Sequence, residues 1–166
     1  VQQEEPEETR FENFVGPPPS LADHLDEQLR LTVVEPNIRA AAEEIIGNLD
    51  EDGYLRATIE EIAEKRQLPA AVVEKALELV QTFDPIGVAA RNLRECLLLQ
   101  LRDPGRAQPA NALAIEILDQ HFEALQRCKY PEIARVLKVD QERVIEAVHE
   151  IAALEPKPGR RFASTE

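Results

Sequence analysis

The run Cys96-Leu97-Leu98-Leu99-Gln100-Leu101 limits what this chain can become more than any other stretch. A helix that is apolar on every side is buried on every side. The segment around it, DPIGVAARNLRECLLLQL from Asp84 to Leu101, reads as a corner followed by a helix. Pro85 pushes Asp84 away from helical angles, and Gly87 supplies a flexible corner. The helix is expected to start at Val88 or Ala90 and to end at Arg102. Its polar first turns, with Arg91, Asn92, Arg94 and Glu95, emerge at a surface, and its apolar half is the central post of a helical core. Arg91 and Arg94 near a helix N-terminus oppose the macrodipole by roughly 0.3–1 kcal/mol each. Either Arg91 pairs with Glu95 or Asp84 to hold the corner, or the corner presents charge to a partner.

That core must be aliphatic. Hydrophobic residues make up 43% of the 166, aromatics only 4%, and tryptophan is absent. Abundant helix formers and few β-branched runs point to an all-α chain. The net charge of -13 is repelled by phosphate backbones, which need Lys and Arg for affinity, so a free-standing duplex binder is disfavoured. Cys96 and Cys128, far apart in helical contexts, suit reduced intracellular thiols rather than a disulfide framework. The acidic start lacks the apolar run of a signal peptide, and no stretch reaches the length of a membrane span. The expected location is cytoplasmic, with no membrane partner. Beginning at Val1 rather than Met, the sequence reads as a cut within a longer chain.

Residues 1–19 carry five glutamates, one arginine and the Pro17-Pro18-Pro19 run, an acidic linker expected to be disordered. Ser20 can cap a helix along which Leu21, Leu25 and Leu29 recur every fourth residue, ending near Thr32. Pro36 opens a second helix. The loop NLDEDGYL turns at Gly53. Thr58 and Glu61 form a capping box for a short helix, and Leu68-Pro69 leads into the next, with Val73, Ala76, Leu77 and Val80 inward. Residues 103–108 read as a hinge between a 20–103 subdomain and a 109–156 subdomain. In the latter a long helix from Pro109 carries Leu113 through Leu125, a short one starts near Pro131, and Asp140 caps the last. Residues 157–166 are a basic tail.

The chain repeats itself. Moved by 71 positions, Glu61-Ile62-Ala63 falls on Glu132-Ile133-Ala134, Val73 on Val144, Ala76 on Ala147, Val80 on Ile151, Phe83 on Leu154 and Pro85 on Pro156. Each copy has a helix-turn-helix outline. A DNA-reading pair needs basic and amide residues on its second helix. These second helices instead show Glu74 and Glu78, or Glu142, Glu146 and Glu150, so the pairs serve packing or protein contact.

Catalytic and metal motifs fail. Asn48, Asp50, Asp52 and Gly53 resemble half of an EF-hand loop, but the twelfth position is Ile59 rather than the bidentate Glu. His24, His121 and His149 lack a second ligand at metal spacing. Neither cysteine has a base nearby, and no P-loop or dinucleotide fingerprint occurs. No enzyme, cofactor or metal is expected.

The segment DPIGVAARNLRECLLLQL closely resembles the core-binding domain of the sigma-54, enhancer-dependent family of bacterial RNA polymerase sigma factors. SLADHLDEQL, IIGNLDEDGYL and IAALEPKPGRRF agree in the same order, so the resemblance covers residues 20–162. One departure is Ala89, where the family commonly has Gly, and it stiffens the corner slightly. The resemblance implies two helical subdomains that dock, as a monomer, on core RNA polymerase, chiefly its beta subunit and flap. It places the contact surface at Asp84, Pro85, Gly87, Val88, Arg91, Asn92, Arg94 and Glu95. The family's activator-responsive N-terminal region and promoter-reading helix-turn-helix have no counterpart in this sequence. Promoter DNA would be reached only through such regions, towards which the basic Lys157, Arg160 and Arg161 lead. A DNA-binding regulator and a helical adaptor for another protein are the competing readings.

Overall fold

In the computed structural model, residues 18–106 and 111–163 are described; the acidic linker proposed for 1–19 lies almost wholly outside them. These residues form nine α-helices and no sheet. Helix α1 is Leu21–Arg30, α2 Pro36–Gly47, α3 Ile59–Arg66, α4 Ala70–Val80 and α5 Leu93–Leu101. Helix α6 is Asn111–Gln120, α7 Phe122–Gln126, α8 Tyr130–Leu137 and α9 Gln141–Ala152. Short 3-10 turns cover Pro104–Arg106 and Pro158–Phe162.

Local chemistry sets the helix ends. The Ser20 hydroxyl accepts from the Asp23 N–H while the Asp23 carboxylate accepts from Ser20 N–H, a full capping box. At α3 only the Thr58 half of such a box forms. Asp140 sits at the N-cap of α9 but its side chain makes no cap bond.

Two apolar clusters result. Leu25, Leu29, Ala41, Ala42, Ile45, Ile62, Val73, Leu77, Val80 and Val88 belong to the first. Leu97, Leu98, Leu101, Ala114, Ile117, Leu118, Ile133, Val144 and Ile151 belong to the second. Between them Tyr54, Ala90 and Cys96 form a small bridge. The leucine-rich post α5 therefore supplies the second cluster with three leucines and the bridge with Cys96, and its buried faces are shared rather than given to one core.

The internal repeat is present in the backbone. Helices α3 and α8 begin and end 71 positions apart, at Ile59 and Tyr130 and at Arg66 and Leu137. Each is closed by a left-handed residue, Gln67 at φ 54° and Lys138 at φ 56°. The next amide turns back on the helix in both copies, Leu68 N–H to Ala63 O at 3.0 Å and Val139 N–H to Ala134 O at 3.1 Å. The matched positions Ile62 and Ile133, Val73 and Val144, and Phe83 and Leu154 are all buried.

Two expectations need correction. The helix after the corner starts at Leu93, not at Val88 or Ala90, because Gly87 (φ 99°) and Ala89 (φ 64°) both adopt left-handed angles that no α-helix contains. The long helix expected through Leu125 is two helices, broken at His121 (φ -130°, ψ 30°).

Candidate functional site: the elbow from Asp84 to Glu95

The elbow follows α4 and delivers the chain into α5. It starts with a cis Asp84–Pro85 peptide and passes through Gly87 and Ala89. The acidic loop after α2 is its seat. Asp50 organises that loop as an Asx turn, its carboxylate accepting from Asp52 N–H at 2.9 Å, Tyr54 N–H at 3.0 Å and Arg56 Nε at 2.6 Å. Burial pushes the Asp50 carboxyl up, but these donors outweigh it and hold it below the usual value. The loop then pairs with the elbow: Ala89 N–H donates to Gly53 O at 2.8 Å, and Leu55 N–H to Ala90 O at 2.9 Å. Among the described residues no three His, Cys, Asp or Glu side chains are grouped to hold a metal ion.

The eight side chains expected to form one surface divide between interior and exterior. Pro85, Gly87 and Val88 are buried, and Val88 is 0% exposed. A Cβ on Gly87 would meet Cys96 Sγ at 3.0 Å and Gln100 Nε2 at 3.1 Å, so this glycine is needed for close approach as well as for its φ. Asp84, Arg91, Asn92 and Arg94 face outward, with Glu95 half-buried.

Each outward group already has a partner. Asn92 is the N-cap of α5, its Oδ1 accepting from Glu95 N–H at 2.9 Å. Arg91 pairs with Glu95, Nη2 to Oε2 at 2.6 Å, and Glu95 also accepts from Gln81 Nε2 at 2.8 Å. Of the two partners considered for Arg91, the geometry gives Glu95 rather than Asp84. Arg94 reaches across to α6, donating to the carbonyls of Leu118 (3.0 Å) and Asp119 (2.8 Å) and to Asp119 Oδ1 (2.9 Å). It satisfies the open carbonyl end of that helix and places a cation there.

Asp84 is the most connected. Its carboxylate takes His24 Nε2 at 2.8 Å and a guanidinium N–H of Arg161. Its backbone N–H and C=O bond both ends of the Gln28 amide. Burial raises the Asp84 carboxyl, but His24 and Arg161 together bring it below the usual carboxylate value. Burial also pushes the Cys96 thiol up, which keeps it protonated beside Tyr54.

Of the three basic tail residues, Lys157 is exposed and makes no ion pair among the described residues. Arg160 bonds Asp52 at 2.5 Å and Arg161 bonds Asp84. Sequence reasoning overlooked Gln28 and Gln100 and weighed His24 only as a metal ligand. The one available signal was the shared Gln-Leu-Arg at 28–30 and 100–102.

The family profile described as "Sigma-54 factor, core binding domain" matches residues 10–166. The chain belongs to the sigma-54 core-binding-domain family. Curated relatives of this sigma-54 kind include the RNA polymerase sigma-54 factor of Caulobacter vibrioides, 39% identical over 93% of this chain and 30% of the relative. That of Acidithiobacillus ferridurans is 41% identical over 90% of this chain and 32% of the relative. RNA polymerase sigma-54 factor 1 of Bradyrhizobium diazoefficiens is 37% identical over 95% and 32%. This chain therefore spans about a third of the curated sigma-54 factors it matches.

Proposed function

We propose that this chain is the part of a sigma-54-type initiation factor that docks, as a monomer, on core RNA polymerase at the beta subunit and its flap. The observation that carries the reading is the family match over residues 10–166. The surface offered is the outer side of the elbow, with Asp84, Arg91 and Asn92 exposed and Pro85, Gly87 and Val88 acting beneath as its scaffold. Arg94 and Glu95 serve the contact through the shape they hold. The first apolar cluster lies wholly within the proposed 20–103 subdomain, and the second joins the proposed 109–156 subdomain to the α5 leucines Leu97, Leu98 and Leu101.

The acidic exteriors of α4 and α9 support protein contact over DNA contact, since Glu74, Glu78, Glu142 and Glu146 all lie exposed. Promoter recognition is assigned to other parts of such a factor, with Lys157 free to approach nucleic acid and Arg160 and Arg161 engaged in cis.

The test is gel filtration of the chain with purified core polymerase. Co-elution is expected, and Arg91→Ala should weaken it while leaving the helical signal intact. Free migration of the chain beside polymerase, together with tight retention of duplex DNA at physiological salt, would overturn the assignment.

A further inference from the structure

The duplication reaches beyond the helix-turn-helix pairs. At an offset of 72, Ser20, Leu21, Asp23, Leu25, Gln28, Leu29 and Arg30 fall on Asn92, Leu93, Glu95, Leu97, Gln100, Leu101 and Arg102. The geometry follows. Ser20 and Asn92 cap α1 and α5, accepting from Asp23 N–H and Glu95 N–H. Gln28 Nε2 returns to His24 O at 3.3 Å, and Gln100 Nε2 to Cys96 O at 3.2 Å.

Each glutamine then grips the chain leaving its own unit. Gln28 takes Asp84 O at 2.7 Å and Asp84 N–H at 2.8 Å; Gln100 takes Glu155 O at 2.7 Å and Glu155 N–H at 2.8 Å. Asp84 and Glu155 are 71 apart, and each precedes a proline. The segment after Glu155 is thus the second unit's counterpart of the elbow.

We propose that residues 157–162 form a strap that crosses from the second unit to the first and locks the two together. Where the elbow leads directly into α5, the strap folds back over the acidic loop. Tyr54 donates its hydroxyl to Pro156 O at 2.5 Å, and Gly159 N–H donates to Asp52 O at 2.9 Å. Pro158 and Gly159 are buried there. The seat admits only glycine: a Cβ at position 159 would lie 2.5 Å from Glu51 O and 2.7 Å from Gly53 N, both backbone atoms. Beyond the seat, Arg160 pairs with Asp52, Arg161 with Asp84, and the Phe162 ring stacks on His24 at 4.9 Å. Pro156 and the four successive residues Gly159 to Phe162 therefore touch the acidic loop, α1 or the elbow. None of them belongs to either apolar cluster. The strap is an inter-unit lock and not part of a core.

Gln100 joins the two exits physically. It holds Glu155 on one side, while the missing side chain of Gly87 leaves room for it on the other. The elbow packs closely on this buried amide at Gly87 and the root of the strap is bonded to it at Glu155, so the two exits meet at one side chain.

The experiment measures the distance between α1 and the strap in the whole chain. Nitroxides go at Ala22→Cys and Ala163→Cys, with the exposed Cys128 changed to Ser; Cys96 is buried and stays unlabelled. Both labelled positions line the same surface cleft beside Phe162, so a short, narrow distance distribution is expected in the parent. Gly159→Ala should lengthen and broaden it. A second variant, Arg161→Ser with Phe162→Ala, removes the exposed Arg161 pair and the half-buried Phe162 stack without touching the Gly159 seat, and should do the same. Amide exchange is read alongside: Gly159 N–H should lose protection at least tenfold in both variants while the amides of α4 and α9 keep theirs. A broad distribution in the parent would overturn the proposal, as would a narrow distance that survives both variants. Equal loss of protection in α4 and α9 would also overturn it, by making the segment part of the folding core.

Discussion

The guanidinium of Arg94 closes the C-terminal end of α6, donating to the carbonyl oxygens of both Leu118 and Asp119. This explains why an arginine stands in the first turn of α5, where it opposes that helix's own dipole. The unfavourable term at α5 is smaller than the charge-assisted bonds made at α6, which are worth about 1.5–3 kcal/mol each before allowance for exposure. Arg94 is partly exposed, so Arg94→Ala should cost about 1–2 kcal/mol. Urea denaturation followed by circular dichroism would read it, and Arg94→Lys, lacking the fork, should recover only part. An unchanged midpoint would show that the cap carries no weight.

Arg91 should behave in the opposite way. Its pairing with Glu95 is an exposed i,i+4 contact, worth about 0.3–0.5 kcal/mol, so Arg91→Ala should leave the urea midpoint nearly unmoved. Under the function proposed above, its expected effect is on polymerase binding. An Arg91→Ala chain that binds polymerase as tightly as the parent, measured by titration of labelled chain, would move the contact surface away from the elbow.

Much of this was legible from residue order. Capping at Ser20, the proline at the start of α2 and the offset of 71 all rest on local chemistry, which survives in any tertiary context. The start of α5 was not legible, because Val88-Ala89-Ala90 has good helix formers and nothing local forbids them from continuing the helix. What overrides propensity is long-range: the acidic loop claims Ala89 N–H and Ala90 O, and Cys96 and Gln100 press on Gly87. The partners of the basic tail were hidden for the same reason. Arg160 and Arg161 pair with Asp52 and Asp84, more than 75 positions away, which no local pattern signals.

Acid should weaken the first unit through Glu44. Its carboxylate is buried between Lys65 Nζ at 2.6 Å and Arg66 Nε at 2.9 Å. The Lys65 contact leads in holding its proton affinity below the ordinary value of 4.5. A carboxyl lowered by folding stabilises the native state above its unfolded value, and that contribution disappears as pH falls through the folded one. The urea midpoint should therefore fall as the pH drops below about 4.5. Glu44→Gln should be less stable at pH 7 by about 1–3 kcal/mol and show a flatter acid limb. Parallel curves for the two proteins would assign the acid response elsewhere.

Ala89 tests how backbone strain and burial trade off. Its left-handed φ of 64° costs an alanine roughly 1–2 kcal/mol that glycine does not pay. Its methyl is wholly buried, worth about 0.8 kcal/mol, and glycine adds about 0.5–1 kcal/mol of unfolded-state entropy. These nearly cancel, so Ala89→Gly should lie within about 1 kcal/mol of the parent. Ala89→Val gains both a β-branch at positive φ and bulk in a closed space, and should lose at least about 2 kcal/mol. Thermal unfolding of both variants separates the two effects, and a tolerated valine would mean that the elbow backbone relaxes.

The two glutamine clamps are chemically alike but differently buried, which makes them a matched pair. Gln100 is 4% exposed and makes four contacts, two buried ones to Cys96 in the bridge and two part-buried ones to the Glu155 backbone. Gln28 bonds Asp84 at an exposed site, where water can replace it. An amide lost from a dry site leaves its partners unsatisfied at about 1–3 kcal/mol, whereas a wet site recovers most of the cost. Gln100→Leu should therefore lower stability by about 2–3 kcal/mol, and Gln28→Leu by under about 1 kcal/mol. Leucine keeps much of the volume and a good helix former in both helices, so the difference reports the polar contacts rather than a cavity. Urea midpoints of the two variants, measured side by side at pH 7, decide it. Equal losses would mean that the Glu155 backbone is as readily hydrated as that of Asp84, and that the bridge is open to water.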